Sequence, residues 1–183
     1  MRRSLTATAA LLALAAVTST ALGAQSSSEQ RQSIDRAALV YYGGEIARFQ
    51  RETWHWQRVM GVRRTPRSER RLAALTPAAL QGAAESWRHR LAHAYAAALH
   101  PPHLRQFLCI HRFEGSWTDT GSPYYGGLQM DESFQRSYGG WLYARKGTAD
   151  HWSPLEQIWT AEKALKSRGF WPWPNTARYC GLL

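Results

Sequence analysis

A single carboxylate, Glu114, occupies a position in the sequence that suits a proton donor. It stands at the predicted end of a helix, and Phe113 and Trp117 flank it. The negative end of a helix dipole disfavours a charged carboxylate, and aromatic neighbours that exclude water act in the same direction. Both effects favour a protonated acid near neutral pH, which the cleavage of a glycosidic bond requires. The alternative is an ordinary solvated glutamate at a helix end.

The residues around and after Glu114 are of types that bind sugars. Aromatic side chains cover the apolar faces of sugar rings, while their polar atoms hold sugar hydroxyls. Six tryptophans occur in this part of the chain: Trp117, Trp141, Trp152, Trp159, Trp171 and Trp173. Gly126-Gly127 lets a ligand approach the backbone closely, and Gln129 offers both a donor and an acceptor. Core packing is the alternative role, and it applies to some of these tryptophans.

A second carboxylate is the usual partner of such an acid, because most glycosidases use two. Three acids follow Glu114 closely: Asp119, Asp131 and Glu132. Asp119 lies in a predicted turn and could face a cleft. Asp131-Glu132 suits the start of the next helix, where acids favour the helix dipole.

The elements that must position Glu114 are predominantly helical. Pro101-Pro102 opens a predicted helix that is expected to be largely buried and to end at Gly115. Residues 115–130 are rich in turn formers and predict a short hairpin. Ser153-Pro154 then opens another helix, and this helix is expected to end near Gly169. The tail, residues 170–183, is too rich in proline for a helix.

The N-terminal half is also predicted to be helical. Residues 25–33 are polar and predict a loose linker. The apolar pattern of residues 34–60 is helical, and Gly43-Gly44 is expected to split it into two helices. Thr76 and Pro77 suit the N-cap and first position of a further helix that ends near Leu99.

The first 24 residues read as a secretory signal. Arg2 and Arg3 form a basic start, a short apolar run follows, and small residues such as Gly23 suit cleavage. Serine and threonine interrupt the apolar run, so it makes a poor membrane span. The sequence therefore predicts a secreted or cell-wall protein, with an uncleaved membrane anchor as the alternative.

Cys109 and Cys180 are the two cysteines of the chain. In an exported protein they favour a disulfide, which would contribute about 4 kcal/mol of stability by closing its long loop. Two free thiols or a metal pair are the alternatives. The cysteines lack CxxC spacing, and His89 and His93 have no third ligand nearby, so no metal or cofactor is expected.

The positive charge is concentrated in the N-terminal half. The net charge is +10, and residues 25–108 contain 13 arginines, no lysine and 6 acids. This excess suits an anionic cell-wall polymer as partner of the Arg-rich helices, and arginines spread over solvated helix faces are the alternative. Nucleic acid is not expected as a partner, since no recognition motif is present. No obligate protein partner is evident.

Residues 109–182 resemble the resuscitation-promoting factors of actinobacteria. Four stretches carry the resemblance: FEGSW at 113–117, TGxxYYGGLQ at 120–129, SPLEQIWTAE at 153–162, and WPWP through Cys180-Gly-Leu. The resemblance implies a small α+β, mainly α, lysozyme-like catalytic domain that acts on the glycan strand of peptidoglycan. The expected organisation is a signal peptide at 1–24, a basic helical extension at 25–100, and this transglycosylase-like domain at 101–183.

The resemblance also implies roles for individual residues. Glu114 is the catalytic acid by this match, and Cys109 and Cys180 match the bridging pair of the family. Five residues are expected to line the sugar cleft: Thr120, Tyr125, Gly127, Gln129 and Trp141. The family places its cysteine immediately before the acid, whereas residues 110–113 intervene here, which moves the bridge by about one helical turn.

The expected reaction begins when Glu114 protonates the oxygen between N-acetylmuramic acid and N-acetylglucosamine. The carboxylate then accepts a proton from the muramic acid 6-hydroxyl as a 1,6-anhydro ring closes, or from water if the protein is a muramidase. A second carboxylate, Asp119, is the alternative to this single-acid route. A non-catalytic protein that binds the cell wall or signals from it is the rival interpretation, and a DNA-binding protein is the weakest.

Overall fold

The computed structural model describes residues 10–67 and 72–183, with side chains from residue 27 onward. Residues 1–9 of the predicted signal peptide therefore lie outside the described residues. Its remaining residues, 10–24, are described by their backbone alone. Among the described residues, none of the helices combines the length and the hydropathy that a bilayer span requires.

Helices dominate the fold. Residues 10–67 and 72–183 contain six α-helices: α1 (Ala10–Met60), α2 (Pro77–Ala98), α3 (Leu104–Glu114), α4 (Glu132–Lys146), α5 (Pro154–Arg168) and α6 (Pro174–Tyr179). Two strands, β1 (Tyr124–Tyr125) and β2 (Met130–Asp131), form an antiparallel hairpin in which Tyr124 pairs with Asp131. Short 3₁₀ turns occupy Leu72–Ala74 and Ala149–His151. The predicted mainly α, α+β class is confirmed.

The chain divides into two compact units. One comprises Met1–Arg48 and Ser68–Trp87, and the other comprises Phe49–Arg67 and Arg88–Leu183. In the described part of the first unit, four apolar side chains are buried: Ile46, Leu80, Ala84 and Trp87. The predicted division into an extension at 25–100 and a domain at 101–183 remains a prediction.

The core of the second unit is built around Trp173. This side chain is 4% exposed, and its ring meets Phe107 of α3 and Phe134 of α4 edge to face, each at a centroid distance of 5.6 Å. Its indole N–H donates to the Leu128 carbonyl at 2.7 Å. Trp173 thereby joins α3 and α4 to the turn that precedes β2.

Most of the predicted helix ends are confirmed. Ser153 and Glu156 form a capping box at the start of α5, and Gly169 ends that helix. Thr76 caps α2, since its hydroxyl accepts from the Ala79 amide at 3.3 Å. Gly115 follows α3 as predicted, with an extended backbone.

Four predictions about the helices were wrong. Residues 25–33 and Gly43-Gly44 lie inside the continuous helix α1, because a glycine costs a helix interior only about 1 kcal/mol, which a long helix tolerates. The tail does contain a helix, α6, since Pro174 stands at its first turn, where no amide donor is needed. Helix α3 is not largely buried, because Leu108 and Phe113 are 44% and 52% exposed.

Candidate active site

Glu114 is the last residue of α3 and is half-buried. Its Oε1 atom accepts a hydrogen bond of 2.7 Å from the hydroxyl of Thr176, which lies on α6 and is buried. The predicted Cys109–Cys180 disulfide is confirmed, with a Cα–Cα distance of 6.0 Å. Because Cys109 lies on α3 and Cys180 directly follows α6, the bridge holds together the two helices that carry Glu114 and its donor.

A cleft of about 220 Å³ opens beside Glu114. Its other lining residues come from the hairpin and from the segment that leads into α6: Tyr124, Gln129, Pro172, Trp173, Pro174 and Asn175. A smaller pocket of about 120 Å³ shares Tyr124, Gln129, Pro172 and Trp173 with it. The two pockets therefore form one groove, with Glu114 near one end and Arg168 near the other.

Gln129 is held in this groove by an unusual backbone conformation. Its φ is 47°, in the left-handed region that side-chain-bearing residues rarely adopt. The side-chain amide donates to Asp119 Oδ2 at 2.9 Å and to the Gly126 carbonyl at 3.0 Å. A conformation of this kind persists only where the surroundings determine it, and such positions cluster at functional sites.

Asp119 organises the loop between α3 and the hairpin. Its Oδ2 atom accepts from Gln129, and its Oδ1 atom accepts from the Gly121 amide at 3.0 Å. The Asp119 carbonyl also accepts from the Gly126 amide at 2.8 Å. Both carboxylate oxygens are thus engaged inside the loop, and Asp119 is not among the residues that line the groove.

The Gly126-Gly127 turn packs too closely for any side chain. A Cβ on Gly127 would lie 2.6 Å from both His111 Nδ1 and the Trp117 ring, and one on Gly126 would lie 2.5 Å from Gln157 Oε1. His111 and Trp117 stack at a centroid distance of 3.9 Å. His111 Nδ1 also donates to the Gly127 carbonyl at 3.0 Å. Gly127 allows the backbone to lie directly on this aromatic pair, and Gly126 allows it to lie on Gln157.

Gln157, on α5, holds this turn from the interior. The side chain is 0% exposed, and its Oε1 atom accepts from the Gly127 amide at 2.9 Å. Its Nε2 atom donates to three carbonyls, at distances of 2.8 to 3.1 Å: those of Trp117, Ala149 and Trp152. One amide therefore fixes both the loop that follows α3 and the turn that precedes α5.

Glu156, the neighbour of Gln157, is held by charge. It is 1% exposed, and it lies 2.7 Å from Lys146 Nζ, 2.7 Å from the Ser153 amide and 3.0 Å from His55 Nε2. Burial alone would raise the pKa of this carboxyl. Hydrogen bonds from His55, Lys146 and the Ser153 amide outweigh that effect and lower the pKa to about 2. Glu156 is therefore a permanent anion at the start of α5.

The residues predicted to line the sugar cleft are distributed over several places. Gln129 shares the groove with Glu114. Tyr125 is half-buried against the core, Gly127 is buried beneath the loop, and Thr120 is exposed. Trp141 lines another pocket, to which neither Glu114 nor Gln129 contributes. Their roles in sugar binding remain predictions.

Sequence reasoning missed several residues of the site. Thr176, the donor to Glu114, is 62 positions away in the chain and carried no local signal. Gln157 lay in a recognised stretch without an assigned role. Tyr124 and Trp173 are aromatic, and this was the one signal in the sequence that could have placed them in the groove. Within the described residues, no cluster of three or more His, Cys, Asp or Glu side chains is arranged to hold a metal ion.

Comparison with known proteins supports the predicted family resemblance. Residues 114–176 match the sequence profile of the transglycosylase-like domain, so the matched segment begins at Glu114 and ends at its donor Thr176. This segment of the chain is similar to transglycosylase-like domains.

One protein with a similar sequence is resuscitation-promoting factor RpfE of Mycobacterium tuberculosis. It is 40% identical over 65 residues, which cover 35% of this chain and 35% of that protein. The chain thus matches about a third of the length of this curated relative. The resemblance to resuscitation-promoting factors is confirmed. No solved structure matches the chain.

Proposed function

We propose that the protein cleaves the glycan strand of peptidoglycan between N-acetylmuramic acid and N-acetylglucosamine, with Glu114 as the general acid. The observation that carries this proposal is the position of Glu114 in a groove, with Thr176 donating to its Oε1 atom at 2.7 Å. The family match and the similarity to a resuscitation-promoting factor support the substrate class.

The hydroxyl of Thr176 selects which carboxyl oxygen reacts. Since Oε1 accepts the Thr176 proton, the acidic proton of Glu114 resides on Oε2 and is free to meet the substrate. Glu114 transfers this proton to the glycosidic oxygen as the bond from that oxygen to muramic acid C1 breaks. The departing N-acetylglucosamine leaves with a free hydroxyl, and Glu114 becomes a carboxylate.

The second half of the reaction restores the acid. The Glu114 carboxylate accepts the proton of the muramic acid 6-hydroxyl while O6 bonds to C1, which gives a 1,6-anhydro product and makes the protein a lytic transglycosylase. If water attacks C1 instead, the product is a reducing sugar and the protein is a muramidase. One carboxyl suffices for both routes, and the engagement of both Asp119 oxygens within the loop supports a single acid.

Substrate binding in this proposal uses the groove and its surroundings. Gln129 offers its amide oxygen to sugar hydroxyls, because its Nε2 atom already donates to Asp119 and Gly126. Tyr125, Thr120, Gly127 and Trp141 complete the proposed set. Within this proposal, a signal peptide at 1–24 directs the protein to the cell wall, and the Arg-rich extension at 25–100 attracts an anionic wall polymer.

The central experiment is the incubation of wild-type protein and Glu114→Gln with purified sacculi, followed by mass spectrometry of the soluble fragments. Wild type should release fragments, and Glu114→Gln should reduce their release by about a hundredfold or more, because it removes only proton transfer. Glu85→Gln, an exposed change on α2, is the matched control. The anhydro product is lighter than the hydrolysis product by one water, which separates the two reactions.

One result would replace this proposal by its rival. If neither protein releases fragments while both bind sacculi, the groove recognises peptidoglycan without cleaving it, and the protein acts in wall binding or signalling. Edman sequencing of the protein recovered from a secreting host tests the signal peptide, with a new N-terminus near residue 24 expected.

A further inference from the structure

A basic pocket of about 320 Å³ lies in the second unit, and none of its lining residues belongs to the Glu114 groove. We call it the arginine pocket. Four arginines and two tryptophans dominate its lining: Arg51, Arg58, Arg64, Arg145, Trp54 and Trp141. They come from the last turns of α1, from the segment that follows it, and from α4.

The lining carries a surplus of positive charge. Its other two members are Glu52 and His55, so four arginines face one carboxylate. Among the described residues, none of the four guanidinium groups forms an ion pair with a carboxylate. A concave surface with unpaired charges of one sign attracts and concentrates ions of the other sign.

One wall of the pocket is held in place by hydrogen bonds. Trp54 donates its indole N–H to the Thr65 carbonyl at 2.8 Å. The Gln57 side-chain amide donates to the Thr65 hydroxyl at 2.7 Å and accepts from the Thr65 amide at 2.9 Å. These bonds fold the segment after α1 back onto the helix, and Arg64 lies over the Trp54 ring at 4.8 Å.

The opposite wall is fixed by stacked rings and charges. Arg58 lies over the Trp141 ring at 4.7 Å, and the His55 ring meets Trp141 at 5.4 Å, close to edge to face. His55 is in turn held by the buried Glu156 carboxylate at 3.0 Å. Both tryptophans and two of the arginines are therefore positioned before any ligand arrives, which lowers the entropic cost of binding.

The chemistry of this lining defines a ligand. Guanidinium groups pair with carboxylates and phosphates through two parallel hydrogen bonds, and indole rings cover sugar faces. The volume suits a small ligand and differs from the long groove that follows a nucleic acid backbone. We propose that the arginine pocket binds an anionic sugar, a glycan residue that carries a carboxylate or a phosphate. This site does not depend on the catalytic role of Glu114.

Titration calorimetry of the full chain at low salt tests this proposal. Trigalacturonate is compared with its trimethyl ester, and glucose 6-phosphate is compared with glucose, so that each charged ligand has a neutral match. At least one charged ligand should bind about tenfold or more tightly than its match. The pair that shows this preference identifies the carboxylate or the phosphate as the recognised group.

Arginine variants locate the site. Arg58→Gln with Arg145→Gln should weaken binding of the charged ligand by about tenfold or more, because two charge-assisted contacts are lost. Arg36→Gln with Arg105→Gln removes the same charge at exposed positions outside the pocket, and it should change affinity by less than about twofold. If Arg58→Gln lowers the melting temperature, Arg51→Gln with Arg145→Gln replaces it, since neither arginine stacks on a ring of the pocket.

Three results would overturn the proposal. Equal affinity for charged and neutral ligands would remove the role of the anion. Equal weakening by both double variants would show diffuse attraction without a site. Tighter binding of single-stranded DNA than of either sugar, with the same dependence on Arg58 and Arg145, would assign the pocket to nucleic acid. Each result is independent of whether Glu114 cleaves sacculi, so the two proposals can fail separately.

Discussion

The loop beside Glu114 and the arginine pocket are held by two neighbouring residues of α5 in different ways. Gln157 forms four hydrogen bonds between neutral groups, two of them to the loop, at the Gly127 amide and the Trp117 carbonyl. Glu156 holds His55, a member of the pocket lining, and also binds Lys146. A neutral amide keeps its bonds at any moderate pH, whereas a carboxylate loses them once it is protonated. The contacts of Gln157 should therefore resist acid better than those of Glu156.

The largest effect is expected from Gln157→Leu, which removes the hydrogen bonds of the neutral Gln157 side chain. It leaves the Gly127 amide and the Trp117 and Trp152 carbonyls without this partner in the interior, and each buried unpaired group costs about 1–3 kcal/mol. We expect a loss of roughly 4 kcal/mol in the free energy of unfolding, since part of the strain relaxes. Urea denaturation measures this loss. Gln81→Leu, on the exposed face of α2, is the control, and a similar loss there would rule out the network as the cause.

The next largest effect is expected when acid protonates Glu156. The pKa of Glu156 is about 2 in the folded protein, below its ordinary value of 4.5, so the unfolded state binds the proton more readily. The stabilisation is complete above about pH 4.5 and is lost as the pH falls through about 2, an effect of roughly 3 kcal/mol. Denaturation curves between pH 6 and 2 measure it.

Glu156→Gln tests whether Glu156 is the group that makes the protein sensitive to acid. This variant should be less stable at pH 6 and should lose less stability on acidification than wild type, because the titrating group is gone. Glu85→Gln, at an exposed position, should retain the wild-type response. If Glu156→Gln is as sensitive to acid as wild type, another group governs the acid response.

The smallest effect is expected from Thr176→Val, which keeps the shape of the side chain and removes the hydroxyl that donates to Glu114. Turnover of sacculi should fall by about tenfold with little change in the concentration for half-maximal rate, because the hydroxyl positions the acid and does not bind substrate. Thr176→Ser restores the donor and should recover most of the rate. Wild-type turnover in Thr176→Val, with a loss in Thr176→Ser, would indicate that packing of the methyl group matters and the hydrogen bond does not.

Local signals in the sequence predicted much of the fold. The Ser153 capping box, the glycine after α3 and the turn-rich segment before β2 each depend on a few neighbouring residues, and each prediction is confirmed. The disulfide was predicted as well, since few alternatives exist for two cysteines. The errors at Gly43-Gly44 and in the tail arose where helix breakers were judged by type and not by their position in the helix.

The site was predicted only in part, because its hydrogen bonds join distant residues. Thr176 and Glu114 are 62 positions apart, and Gln157 and Trp117 are 40 apart. Such pairs depend on how helices pack, which a local pattern does not encode. Trp141 was expected in the sugar cleft, and the two residues that contact its ring, His55 and Arg58, lie on α1, a part of the chain that the resemblance does not cover.

The loop that leads from α3 into β1 has a consequence for how such a protein can diverge. Its frame is fixed from below by Gln157 and from the side by the Asp119–Gln129 pair. Thr120, Ser122 and Pro123 are exposed, and among the described residues their side chains form no hydrogen bond. Mutations can therefore accumulate at Thr120 and Ser122 at little cost to stability, next to a groove residue, Tyr124. Under the proposed function, such changes in this loop would alter which glycan decorations the groove accepts, while the contacts that hold Glu114 stay constant.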